Sequence, residues 1–83
     1  MYDNYPNPFN PSTNIKFDIP KPGYIIVNIY DITGKLIMTT YSCYTDKLAH
    51  NFQVDMKNFT SGIYIYTVEY NNQRISKKMI LLK

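Results

Sequence analysis

The sequence is poor in residues that hold small domains together covalently or through metals. Its 83 residues contain one cysteine, Cys43, one histidine, His50, three glycines and no tryptophan. A single cysteine excludes an internal disulfide, and the clusters of Cys and His that are typical of zinc sites are absent. Three glycines and five prolines are too few for a low-complexity chain. A stable fold must therefore rest on one packed apolar core.

Long apolar runs are absent as well. No stretch approaches the roughly 18 apolar residues that a membrane-spanning helix needs, so no transmembrane segment is predicted. The first four residues read Met-Tyr-Asp-Asn and lack the basic and then apolar pattern of a signal peptide. We interpret Met1 as the start of an expressed fragment.

The residues that are present indicate one small globular domain. Apolar residues make up 45% of the chain and aromatic residues 16%, which excludes a disordered chain. The net charge is +3, and the excess lies near the C-terminus, where Arg74, Lys77, Lys78 and Lys83 occur without an acidic residue. So small and local an excess does not indicate binding to nucleic acid.

Alternation of apolar and polar residues predicts β-strands along most of the chain. The clearest alternating apolar positions are Ile15, Phe17 and Ile19, then Ile25, Val27 and Ile29, and later Tyr64, Tyr66 and Val68. No segment has a sustained period of 3.6 residues, which an amphipathic helix would require. Six or seven short strands separated by turn residues predict an all-β fold, an antiparallel β-sandwich.

Two tight turns and one irregular loop are predicted between these strands. Gly34 suits a positive φ in the turn DITG, and Asn71 and Asn72 suit a two-residue hairpin turn. The stretch from 56 to 62 is expected to form a turn or a short helical loop, with Phe59 pointing inward.

Catalytic chemistry is not indicated. His50 lies in the middle of a predicted strand, where a lone histidine usually has a structural role. Cys43 has no neighbouring histidine and is expected to behave as a small apolar residue. The aspartates do not have the spacing of a calcium loop, and no glycine-rich phosphate loop is present. We therefore predict that the chain is not an enzyme and holds no metal or cofactor.

Two surface features leave several functions open. The nine tyrosines could form a platform on which sugar rings stack. Lys77 and Lys78 could protect the edge of a sheet from aggregation, or the same edge could accept a strand from a partner protein. The residue pattern alone does not separate these alternatives.

Four motifs occur in order along the chain: YPNPFNPST at 5–13, VNIYDITGKLI at 27–37, SGIYIYTV at 61–68 and KKMILLK at 77–83. In this order and spacing the chain closely resembles the type A C-terminal sorting domain of the bacterial type IX secretion system, also called the Por secretion system. The resemblance extends from Asn4 to Lys83. It implies one sorting domain over residues 1–83, with a Pro/Asn-rich lead-in at 4–13 and an immunoglobulin-like sandwich of about seven strands at 14–83.

The resemblance also implies a secretion signal without an activity of its own. Members of the family end cargo proteins of Bacteroidota and related phyla. After the cargo reaches the periplasm, the type IX outer-membrane translocon would recognise the domain, and a sortase-like cysteine peptidase would usually remove it. The cargo would then be secreted or displayed on the cell surface. A chain that stops at KMILLK agrees with this expected C-terminal position.

The resemblance assigns expected roles to individual residues. The residues expected to contact the translocon are Lys77, Lys78, Met79 and Lys83. The family-motif residues with expected structural roles are Pro6, Asn7, Pro8 and Phe9 in a rigid lead-in, together with Gly34, Gly62 and Tyr64 in the sandwich.

The chain departs from the family pattern at one place, because many relatives carry a tryptophan near Val54 and this chain has none. Phe52 and Val54 are expected to fill that space. A carbohydrate- or surface-binding β-sandwich module of a secreted protein stays open as the alternative function. A dimer through exposed edge strands is also compatible with the sequence.

Overall fold

The computed structural model describes residues 11–82, which form six β-strands. The strands are β1 (Ser12–Asp18), β2 (Gly23–Asp31), β3 (Leu36–Thr45), β4 (Ala49–Asp55), β5 (Gly62–Tyr70) and β6 (Gln73–Leu81). Most of the predicted lead-in at 4–13 lies outside the described residues. The residues Pro6, Asn7, Pro8, Phe9 and Lys83 are likewise outside them.

The six strands form two antiparallel sheets. The smaller sheet pairs β1 with β4, and the larger sheet has the order β3-β2-β5-β6. These orders match strands B-E and C′-C-F-G of an immunoglobulin sandwich. The predicted all-β antiparallel sandwich is therefore confirmed.

The described part of the chain has six strands, which agrees with the six or seven that the residue pattern predicts and is one fewer than the seven that the resemblance implies. After β4 the chain does not extend into another strand before β5. The amide of Phe59 instead donates a hydrogen bond to the carbonyl of Met56 at 3.0 Å, which closes a turn. Phe59 packs against the core from this turn, as the sequence predicts.

The core lies between the two sheets and consists of the alternating apolar residues. Its members are Ile15, Phe17, Ile19, Ile25, Val27, Ile29, Val54, Met56, Tyr64, Tyr66, Val68, Met79 and Leu81. Full burial of one large aliphatic or aromatic side chain contributes about 1.5–3 kcal/mol to stability. The period-two pattern thus selects which face of each strand turns inward.

Both predicted hairpin turns are confirmed. Gly34 has φ +90°, and Asn71 and Asn72 have φ +49° and +62°. Asp31 stabilises the first turn, because its Oδ1 accepts hydrogen bonds from the Thr33 amide at 2.9 Å, the Thr33 hydroxyl at 2.6 Å and the Lys35 amide at 3.0 Å. These bonds lower the pKa of Asp31, chiefly through the Thr33 hydroxyl, since they stabilise the charged carboxylate.

Tyr64 fixes the entry into β5. Its ring is buried, and its hydroxyl donates a hydrogen bond to the carbonyl of Thr60 at 2.7 Å. A tyrosine near the start of strand F that bonds to backbone a few residues upstream is the tyrosine corner of immunoglobulin-like sandwiches. Gly62 begins β5 with φ +156°, a value that side chains disfavour.

Candidate recognition surface

The basic strand β6 lies at the edge of the larger sheet. Among the described strands it pairs with β5 alone. A sheet edge of this kind can accept a strand from another protein. The same edge carries three basic residues, Arg74, Lys77 and Lys78.

The lysines of β6 point to opposite sides of the sheet. Lys78 pairs with Ile65 and is exposed on the outer face, away from the smaller sheet. Lys77 pairs with the buried Tyr66 on the inner face and is half-buried. Alternation along the strand separates the two charges, so they do not form one cationic patch.

Met79, which the sequence places among the recognition residues, has a fully buried side chain. It packs in the core beside Tyr64, its partner in the register of β5 and β6. Lys83 lies outside the described residues. The recognition roles of these residues and of Lys77 and Lys78 stay predictions.

The outer face of the larger sheet carries a continuous group of apolar side chains near the β2–β3 hairpin. Tyr30 pairs with Leu36 on one side and with Ile65 on the other. Ile63 pairs with Ile80 one row further toward the hairpin end of the sheet. We call these five residues the outer apolar patch.

A band of polar residues, formed by Asn28, Thr39, Thr67 and Arg74, borders the outer apolar patch. Thr39 donates a hydrogen bond from its hydroxyl to Asn28 Oδ1 at 2.7 Å. The guanidinium of Arg74 lies 5.6 Å from the centre of the Tyr30 ring, within the range of a cation–π interaction. Thr67 lies between these groups on β5, and its hydroxyl is the one buried side-chain polar atom in residues 11–82 without a hydrogen-bond partner.

An open groove of about 290 Å³ lies at the other end of the outer face, beside the β5–β6 turn. Its lining consists of Tyr24, Ile26, Glu69, Tyr70, Asn71 and Asn72. The neighbouring side chains of Tyr24 and Tyr44 are both exposed. Exposed aromatic rings next to amides and a carboxylate are suited to bind a sugar.

His50 has the structural position that the sequence predicts. It is buried, its Nε2 lies 2.7 Å from the carbonyl oxygen of Lys47, and its ring stacks on Phe17 at 5.1 Å between centroids.

Tyr41 on β3 packs against Phe52 of the smaller sheet, with 4.7 Å between the two ring centroids. Hydrogen bonding to Cys43 and burial raise the pKa of Tyr41, so its hydroxyl stays protonated.

Between residues 11 and 82 no three His, Cys, Asp or Glu side chains are grouped so that they could hold a metal ion. Within the same range, no helix is long and apolar enough to cross a membrane.

Sequence reasoning missed two residues that the structure singles out. Gly23 is buried under the Tyr70 ring, and no local motif marks this contact because the two residues are 47 positions apart. Thr67 lies on the face of β5 opposite the core residues Tyr64, Tyr66 and Val68, yet its exposed fraction is 0%. Neither packing relationship can be read from the strand pattern.

The fold and surface define a β-sandwich recognition domain, built around an apolar core and carrying an edge strand and exposed faces. The family model of the secretion system C-terminal sorting domain matches residues 3–82, and the chain belongs to this family. It is a C-terminal sorting signal for type IX secretion, and the protein that carries it is secreted or displayed on the cell surface. The family is not a catalytic one. No curated protein and no solved structure gives a significant match to the chain.

Proposed function

We propose that the folded domain is recognised by the type IX outer-membrane translocon through β6 and is then removed from its cargo by a sortase-like cysteine peptidase. The observation that carries this proposal is the position of β6 as a basic edge strand. Its exposed cationic side chains, Arg74 and Lys78, can guide the encounter with the translocon. The cargo would reach the translocon through the periplasm of a member of the Bacteroidota.

The way in which β6 is built supports recognition of the domain in its folded state. Met79 and Leu81 are fully buried and anchor the end of the strand in the core. A receptor would therefore contact the outward side chains of β6. The domain itself would carry no catalytic activity and no cofactor, since its work is to be recognised and removed.

A secretion assay tests this function. The 83 residues are fused behind a periplasm-directed fluorescent protein in a bacterium with a type IX system, and the fluorescent protein is quantified in medium and periplasm. The matched variant carries Lys77→Glu, Lys78→Glu and Lys83→Glu. Deletion of the last seven residues is a poorer test, because it removes Met79 and Leu81 from the core and unfolds the domain.

We expect the wild-type fusion to appear in the medium without its sorting domain and the charge-reversed fusion to stay in the periplasm. Circular dichroism of the purified variant must show that it is folded. Export of the folded, charge-reversed fusion at the wild-type level would exclude a role of these lysines in recognition.

The carbohydrate-binding alternative has one specific observation in its favour, the groove beside Tyr24 and Tyr70. A glycan array probed with the purified domain tests it. Binding that is lost in Tyr24→Ala and kept in the Lys78→Glu variant would support the alternative.

A dimer that forms through edge strands would use β3 or β6, which end the larger sheet among the described strands. Light scattering of the same purified domain tests for this dimer.

A further inference from the structure

The outer apolar patch is a sheet face that the smaller sheet does not cover. The smaller sheet packs on the inner side of β2 and β5, where Val27, Ile29 and Tyr66 are fully buried. On the outer side, Ile63 and Leu36 keep exposed fractions of 38% and 49%. Isoleucine and leucine side chains that adjoin on one face and remain open to solvent indicate an interaction site more strongly than scattered ones do.

The charged side chains along the β6 border of the outer apolar patch are basic. Lys78 lies beside Ile65 in the register of β5 and β6, and the Arg74 guanidinium lies over the Tyr30 ring, 5.6 Å from its centre. Glu69, on the same face, is the register partner of Arg74 and lies further from the patch along β5. The border of the patch along β6 is therefore cationic.

We propose that the outer apolar patch is the docking surface for a protein of the secretion machinery whose contact face is apolar and bordered by carboxylates. This inference rests on the proposed function and assigns the recognition to one face of the domain. Lys78 and Ile80 take part in the contact, whereas Lys77, on the opposite face, does not.

The occupant follows from charge and shape. A second copy of this domain would present the same basic β6 border and not the carboxylates that would pair with Lys78 and Arg74. A bilayer surface is bound by apolar faces that reach about 5–10 Å into the headgroup region, and the short side chains of the three patch isoleucines do not extend so far. A flat protein face with an acidic border fits both the shape and the charge.

The experiment compares matched variants on the two faces of β6 in the fluorescent-protein fusion. The outer-face variants are Ile80→Thr and Lys78→Glu, and the inner-face controls are Ile75→Thr and Lys77→Glu. Ile75 is an exposed isoleucine of the same strand, and threonine keeps the β-branched shape that strands favour. The unfolding midpoint of each purified variant is measured to confirm that it is folded.

We expect each outer-face variant to lower the ratio of secreted to periplasmic fusion by about tenfold, since truncation of one central contact residue costs about 1.4 kcal/mol or more. The inner-face controls should keep the wild-type ratio. Equal effects on both faces, or wild-type export of both folded outer-face variants, would overturn the inference.

Two further outcomes identify a different occupant and also overturn it. Sedimentation of the domain with phosphatidylglycerol vesicles, lost in Lys78→Glu, would assign the patch to a lipid surface. A dimer in light scattering that Ile80→Thr dissociates would assign it to a second copy. Failure of the wild-type fusion to leave the periplasm would instead contradict the proposed function, so the two failures are distinguishable.

Discussion

The ring of Tyr70 lies directly on Gly23, so that a Cβ built on Gly23 would come within 2.6 Å of Tyr70 Cε1. The Tyr70 hydroxyl donates a hydrogen bond to the carbonyl of Lys21 at 2.6 Å. This bond holds the ring over the start of β2 and ties the end of β5 to the loop that precedes β2. The position of Gly23 is thus required by packing between distant parts of the chain.

Substitution of Gly23 tests this contact. We expect Gly23→Ala to lower the free energy of unfolding by about 1–3 kcal/mol, because the tethered ring cannot move aside without losing its hydrogen bond. Urea unfolding measures the change. In the background Tyr70→Ser the ring is absent, and Gly23→Ala should cost clearly less; an equal cost in both backgrounds would show that Tyr70 is not the cause.

The hydroxyl of Tyr64 is predicted to stabilise the corner before β5. Tyr64→Phe removes the hydrogen bond to the Thr60 carbonyl and keeps the buried ring, so we expect a loss of about 0.5–1.5 kcal/mol. The control is Tyr44→Phe, because Tyr44 is exposed and its change should leave stability unaltered. Equal unfolding midpoints for both variants would contradict the assigned role.

The buried hydroxyl of Thr67 is predicted to be a stability cost. Valine has nearly the same shape without the unpaired polar group, so we expect Thr67→Val to raise the free energy of unfolding by about 1 kcal/mol. Thr39→Val should have the opposite sign, since the Thr39 hydroxyl bonds to Asn28. Destabilisation by Thr67→Val would indicate a hydrogen-bond partner that the structure does not show.

The turn at Asp31 is predicted to lose stability in acid. The pKa of Asp31 is below its usual value of 3.8 in the folded protein, so its contribution is fully present above the pKa of the unfolded chain. It is lost as the pH falls through the lower folded pKa. As the pH falls below about 4, the unfolding temperature of the wild type should therefore fall more than that of Asp31→Asn.

The cause of this shift can be tested separately by NMR titration of Asp31. Thr33→Val removes the hydroxyl that contributes most to the low pKa, so the pKa of Asp31 should rise toward 3.8. An unchanged pKa in this variant would assign the shift to the backbone amides of Thr33 and Lys35 instead.

Much of the fold was predictable because strand alternation is a local property of the chain. The inward faces of β1 and β2, the positive φ of Gly34 and the Asn71–Asn72 turn were all anticipated from neighbouring residues. The family motifs also indicated a sorting domain, and the match over residues 3–82 confirmed it. The six strands of residues 11–82 lie at the lower end of the six or seven that the pattern predicts.

The sequence by itself determined the fold class, the turns and the family, since each is encoded by residue types at short, regular spacing. Only the tertiary structure decided that Lys78 and not Lys77 lies on the outer face, that Met79 is buried and that Tyr30, Ile63, Ile65 and Ile80 share one surface. These relationships depend on which strands pair and in which register. Register brings together residues that are far apart in the chain, and no local pattern specifies it.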